Sequence, residues 1–188
     1  MDIGLHPVIA ILAAIGLAAC AGLRAFLPIL VVGLSARFLG WPLTPSLEWM
    51  TSDLALALFG LAALVEITAD KIPLVDNVLD AAHTVIGPLA GILVAFAPLA
   101  EIPTPLAVAI AIATGASIAG GVHALAAISR VQSTAMTGGV GNPVLSVIED
   151  GLALFLSLLA VLAPLLILAV LIGSGVLIAR LFSRRSPA

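Results

Sequence analysis

Charge is what this chain has least of: Asp, Glu, Lys and Arg make up 9% of its 188 residues, while 62% are hydrophobic. A soluble domain carries about 25% charged residues, so there is too little polar surface here to cover a water-exposed globule. Basic residues are scarcer than acids, seven against ten, for a net charge of −3. No basic stripe with interleaved aromatics is present, which argues against a nucleic-acid partner. The single cysteine, Cys20, excludes a disulfide framework and every multi-cysteine metal site. It stands in Leu17-Ala18-Ala19-Cys20-Ala21, a segment like a lipoprotein cleavage box. Yet Met1 to Pro7 holds no Lys or Arg, and the apolar run continues past the cysteine to Leu34. A signal peptide has a basic start and a short apolar stretch, so this segment is read as a first transmembrane helix. HExxH, a Ser-His-acid order and a complete Asp-rich phosphotransferase signature are also missing. No catalytic residue is assigned, and an enzyme is the less favoured reading.

What the chain does have is long apolar runs. A hydrocarbon core of about 30 Å takes about 20 apolar residues per helix. The sequence therefore predicts one all-α domain over 1–188, a polytopic transmembrane helical bundle of about six spans. The runs cover about 8–36, 53–69, 76–98, 106–131, 144–163 and 165–182. Trp41-Pro42 through Trp49 reads as an interfacial loop, because Trp favours the headgroup level. Asp70-Lys71-Ile72-Pro73 breaks the chain where proline cannot continue the helical bonding. Residues 144–182 would be about 58 Å long as one helix, so a turn is placed at Pro164, with a single kinked helix as the alternative. Six spans with both termini inside put Lys71, Arg130, Arg180, Arg184 and Arg185 on the cytoplasmic side and Arg37 alone outside.

Two internal similarities conflict. Ala21-Gly22-Leu23-Arg24-Ala25-Phe26 resembles Gly120-Gly121-Val122-His123-Ala124-Leu125, which would make two inverted three-span repeats with broken segments near 70–76 and 133–143. Glu66 through Pro98 resembles Gln132 through Pro164, which would relate two helix pairs in parallel.

Charged groups inside spans cost at least about 2.5–3.5 kcal/mol each near the bilayer centre, so those present mark candidate sites. Asp76, Asp80 and His83 lie four and three residues apart on one helix face. With Glu66 from a neighbouring helix they form a candidate cation or metal site, since hard cations take oxygen ligands and imidazole favours zinc, iron or nickel. Arg24 and His123 each sit deep in apolar runs, Arg24 on a stripe with Ala13, Leu17, Cys20 and Pro28, and Arg24 is expected to pair with one of the acids Asp76, Asp80, Glu149 or Asp150. Asp70, Lys71, Arg130, Asn142, Glu149 and Asp150 complete a candidate transport pathway. Acids outnumber bases in and beside the spans, and with histidines nearby this suits a cation or a proton relay.

Glu66-Ile67-Thr68-Ala69-Asp70-Lys71-Ile72-Pro73 with Asp76, Asp80 and His83, the segment Gly22-Leu23-Arg24-Ala25-Phe26, and Thr137-Gly138-Gly139-Val140-Gly141-Asn142-Pro143 with Glu149-Asp150 carry a family resemblance. The chain resembles, over nearly its whole length, the bacterial membrane family catalogued as domain of unknown function 4126. The resemblance implies a multi-pass protein of the bacterial inner membrane and supplies no activity. The expected function is a small transporter or channel for a cation or coupled to protons, with the lipid bilayer and a small ion or molecule as partners, a bound cation as the one candidate cofactor, and homo-oligomers allowed. The alternatives are an enzyme acting on a lipid or phosphorylated headgroup, and a structural or assembly subunit. The Gly-rich run 138–141 also offers amides to an anion.

Overall fold

The computed structural model describes residues 6–183, without the side chains at 73, 74, 76, 77, 167–169, 171, 177–179 and 181–183. Arg184, Arg185 and Ser186 lie outside the described residues. All regular elements among the described residues are helical. They are α1 (Pro7–Leu23), α2 (Phe26–Leu39), a 3₁₀ turn (Pro45–Thr51), α3 (Asp53–Ala69) and α4 (Pro73–Phe96). There follow α5 (Thr104–Thr137, with π geometry at Ala111–Ala116), α6 (Asn142–Leu162) and α7 (Pro164–Ser183).

Local chemistry explains the breaks. The Ser52 hydroxyl accepts from the Ala55 amide at 3.2 Å and so starts α3. Proline opens α4 at Pro73 and α7 at Pro164, the first-turn position where its missing N–H costs nothing. Ala163 leaves helical geometry (φ −146°, ψ 66°), so 144–182 is two helices. Gly138 and Gly139 adopt φ of +63° and +90° after α5, a conformation that glycine takes without steric cost.

The first apolar run departs from expectation. It is not one span over 8–36 but two short helices of 17 and 14 residues, because Arg24 takes an extended backbone (φ −142°, ψ 118°). Ala10 clusters with Leu99 and Ala107, and the Thr44 amide donates to the Ala97 carbonyl at 2.9 Å. Both outer ends of α1–α2 therefore meet the α4–α5 connection, while Arg24 at the tip meets the acids Asp70 and Asp150. The pair is a helical hairpin that runs into the bundle and returns. The Ala13–Leu17–Cys20–Arg24 stripe consequently ends at the tip, and Pro28 belongs to the returning helix.

Among the described residues three helices are long and apolar enough to cross a membrane: Val78–Phe96 of α4, Thr104–Thr137 and Asn142–Leu162. The 3₁₀ turn and α3, bent by 71°, make a fourth if taken as one span. This falls short of six: the hairpin replaces the first expected span, since neither of its arms reaches the length that a full crossing takes, and 53–69 passes only together with the 3₁₀ turn. Trp49 is exposed as an interfacial residue would be, but Trp41 is buried in the core with Val94 and Ala97.

α1 is the central helix, with Ala13, Ala14, Leu17, Ala18, Cys20 and Ala21 all fully buried. Small side chains permit that crowding. At the α4–α5 crossing a methyl group on Gly91 would lie 2.5 Å from the Gly115 carbonyl oxygen, and one on Gly115 would lie 2.6 Å from that of Gly91. α1, α3 and α5 run toward the end of the bundle that holds Arg24, Asp70 and Arg130, and α2, α4 and α6 run away from it. Since α1 and α5 share one direction, the segments around Arg24 and His123 are not related by inversion. The helix pairs α3–α4 and α5–α6 each run toward that end, turn and return.

Candidate functional site

The charged residues of the sequence converge where the hairpin tip, the α3–α4 turn, the last third of α5 and the second turn of α6 meet. Arg24, 2% exposed, is the hub. Its guanidinium pairs with Asp70 and Asp150, lies 3.7 Å from Glu149, and donates to the hydroxyl and carbonyl of Ser146 at 3.1 and 3.3 Å. The expected partner among the acids is found in Asp150 and Glu149, and the α3–α4 turn adds Asp70. Arg130 pairs with Asp70 at 3.1 Å and with Glu149, and reaches Asp80 at 3.7 Å. Lys71 donates to Asp150 at 3.0 Å and to the Ile67 carbonyl at 2.7 Å. Such a network holds buried charge because each member is paired; removing one partner strands the rest at a cost of about 3–5 kcal/mol.

Arg24 stands at the hairpin tip and not within a continuous first span. It is level with the turn that carries Asp70, at the edge of the apolar stretch Val78–Phe96 of α4.

A second layer lies one turn deeper. The first amides of α2 have no helical acceptor. Glu66 supplies one, its carboxylate accepting from Ala25 N at 2.8 Å and Phe26 N at 3.2 Å. The negative group also faces the positive end of the α2 dipole. His83 Nδ1 lies 3.3 Å from Glu66 Oε1, and His83 Nε2 lies 3.2 Å from the Ala21 carbonyl oxygen. Both ring nitrogens face acceptors, so the doubly protonated ring alone can donate to both. His123 stacks on His83 with ring centroids 4.8 Å apart, and its Nε2 lies 3.4 Å from Thr84 Oγ1 and 3.9 Å from Asp80.

Asp80 and His83 therefore share a helix face but not a ligand. Asp80 turns to His123 and Arg130, and His83 turns to Glu66. Among the described residues no three His, Cys, Asp or Glu side chains converge as metal ligands would, and the side chain of Asp76 is outside that set. Asn142 stands apart from the ion pairs and donates to Thr134 Oγ1 at 2.9 Å. The Gly-rich turn spends amides internally, Gly138 on Thr134 O, Gly141 on Thr137 Oγ1 and Asn142 on Gly139 O. Those donors are not available to an anion.

Beside this layer lies a cavity of about 390 Å³ among the hairpin tip, α3, α4 and α5. Arg24, Glu66, Asp70, Asp80, His83, His123 and Arg130 line its polar part. Leu23, Phe26, Leu58, Leu61, Val65, Leu79 and Ile86 line the rest. Sequence reading did not find these apolar walls, since nothing distinguishes Leu58 or Leu61 from any other lipid-facing leucine until α3 is set beside α4.

No curated protein and no solved structure matches the chain. A family model does, over residues 11–184. With the Arg24, Glu66–Pro73 and Glu149–Asp150 segments joined in one network, the chain belongs to the family described as Domain of unknown function (DUF4126).

Proposed function

We propose that the protein is a membrane transporter that exchanges a cation for a proton, with the cavity at the charged end as its binding site. The observation that carries the reading is the charge balance of that site. Among the described side chains five carboxylates, Glu66, Asp70, Asp80, Glu149 and Asp150, interlock there with three bases, Arg24, Lys71 and Arg130. His83, held between Glu66 and the Ala21 carbonyl, answers one of the two surplus acids when both of its ring nitrogens carry a proton. The remaining surplus is satisfied by a proton on His123 or by a single external cation. Asp80 is the acid on which that choice falls, as its side chain is 38% exposed against 16% or less for the others. Buried charge left unbalanced is costly, so one occupant displaces the other, and that is coupling.

Lys71 and Arg130 gather at this end and Arg37 lies at the opposite one. The positive-inside rule then makes the charged end cytoplasmic, in an inner membrane crossed several times. His6 and the 40–52 loop fall on the outer side, a reversal for the N-terminal segment that follows from the hairpin.

The test is flux into proteoliposomes of purified protein, with internal pH followed across a panel of monovalent and divalent cations. A cation gradient should drive protons the other way, and Asp80→Asn should reduce this by about tenfold or more while the protein stays folded. Equal proton movement by wild type and Asp80→Asn for every ion would end the transport reading.

A further inference from the structure

We propose that the ligand of the cavity is an amphipathic organic monocation, one positive centre on an apolar body. This rests on the exchange reading above and names its substrate class. Size is the first ground: about 390 Å³ falls in the range of small-molecule pockets and far exceeds what one inorganic ion fills. Lining is the second. A hydrated ion would leave its water shell against Leu58, Leu61, Val65 and Ile86, which offer no hydrogen bonds, whereas an apolar body gains by covering them.

Charge is the third ground. Among the described side chains the polar end holds more carboxylates than Lys and Arg, and Asp80 stands at the cavity with its carboxylate partly open. Among the described residues the ligand groups for a bare metal ion do not converge. The fourth ground is position. Leu58 and Leu61 are more than half exposed on the outer side of α3, so the apolar wall continues onto a surface that faces lipid in the membrane reading. A molecule dissolved in the bilayer reaches the wall without crossing water.

Proton competition acts at His123. The groups around it are His83, Thr84 and Asp80 from α4, Arg130 from its own helix, with Glu149 of α6 behind Arg130 and Glu66 of α3 behind His83. Protonation of His123 places a positive charge beside Asp80 and expels the cation.

The probe is tetraphenylphosphonium, titrated into purified protein in detergent, with neutral triphenylphosphine oxide as control. Saturable phosphonium binding is expected, weaker at pH 5 than at pH 8 as His123 takes up a proton. Asp80→Asn should weaken it by at least about tenfold, and Val65→Trp, at a half-exposed wall position, should block it by filling the cavity. His123→Gln should flatten the pH dependence of whatever binding remains. Should Val65→Trp not fold, Leu61→Trp serves the same purpose. Equal binding of the neutral control, or phosphonium binding indifferent to Asp80→Asn, overturns the proposal. Absence of phosphonium binding alongside proton-coupled flux of alkali ions overturns it and leaves the exchange reading standing. Phosphonium binding without any proton movement in vesicles supports the ligand class and ends the exchange reading.

Discussion

Arg24 and Glu66 fix the same two-residue corner from opposite sides. Arg24 sends its side chain into the acids, and Glu66 takes the amides of Ala25 and Phe26 that the corner leaves free. Arg24→Leu should therefore cost up to about 3–5 kcal/mol, since it leaves buried Asp70 with Arg130 alone and Asp150 with Lys71 alone. Unfolding in mixed micelles reads this, and an unchanged midpoint would refute the hub role. Glu66→Gln keeps the shape but can satisfy fewer of these contacts, and should cost about 1–3 kcal/mol. A larger loss for Glu66→Ala than for Glu66→Gln is expected, because Ala leaves both amides without an acceptor.

At the scale of elements, close helix contact and open helix surface make opposite predictions for the same substitution. Gly115→Ala forces a methyl group into the Gly91 backbone and should destabilise by about 1–3 kcal/mol, as overpacking does. Gly151→Ala on α6 meets no neighbour within 4 Å and should be neutral or stabilise by about 0.5–1 kcal/mol. Thermal unfolding of the two variants in one detergent checks the contrast; equal shifts would mean the α4–α5 crossing is looser than described. The break at Gly138–Gly141 was legible, because glycines followed by Asn142-Pro143 cannot sustain a helix. The break at Arg24-Ala25 was not, because no proline or glycine stands at the corner and Leu23 to Leu34 is apolar throughout except for Arg24 itself.

For the whole molecule, the hairpin makes a topological prediction that a continuous first span contradicts. On a Cys20→Ala background, single cysteines at His6 and Ser46 should react with an impermeant thiol reagent from one side of the membrane. A cysteine at Met136, 86% exposed beyond the charged end, should react from the other. Labelling of His6→Cys and Ser46→Cys from opposite sides would restore the single span and remove the hairpin. The same architecture explains why the polar residues form layers at one end and not an axis through the bundle. The helices α1, α3 and α5 end in polar residues there, and α4 and α6 carry theirs near the start, while α2 begins apolar.

The apolar composition alone determined that this chain is a helical bundle suited to a membrane, because backbone groups in lipid must be satisfied within helices. Sequence also picked out the charged residues that matter, since a charge among apolar residues persists only when paired. Which charges meet was a tertiary decision. Asp80 and His83 share a face by spacing, yet neighbours on α3 and α5 pull them to different partners. The cavity, too, exists only once α3 is set beside α4 and the hairpin tip closes its upper end. Periodicity reports which residues share one helix, and only packing reports what stands opposite them.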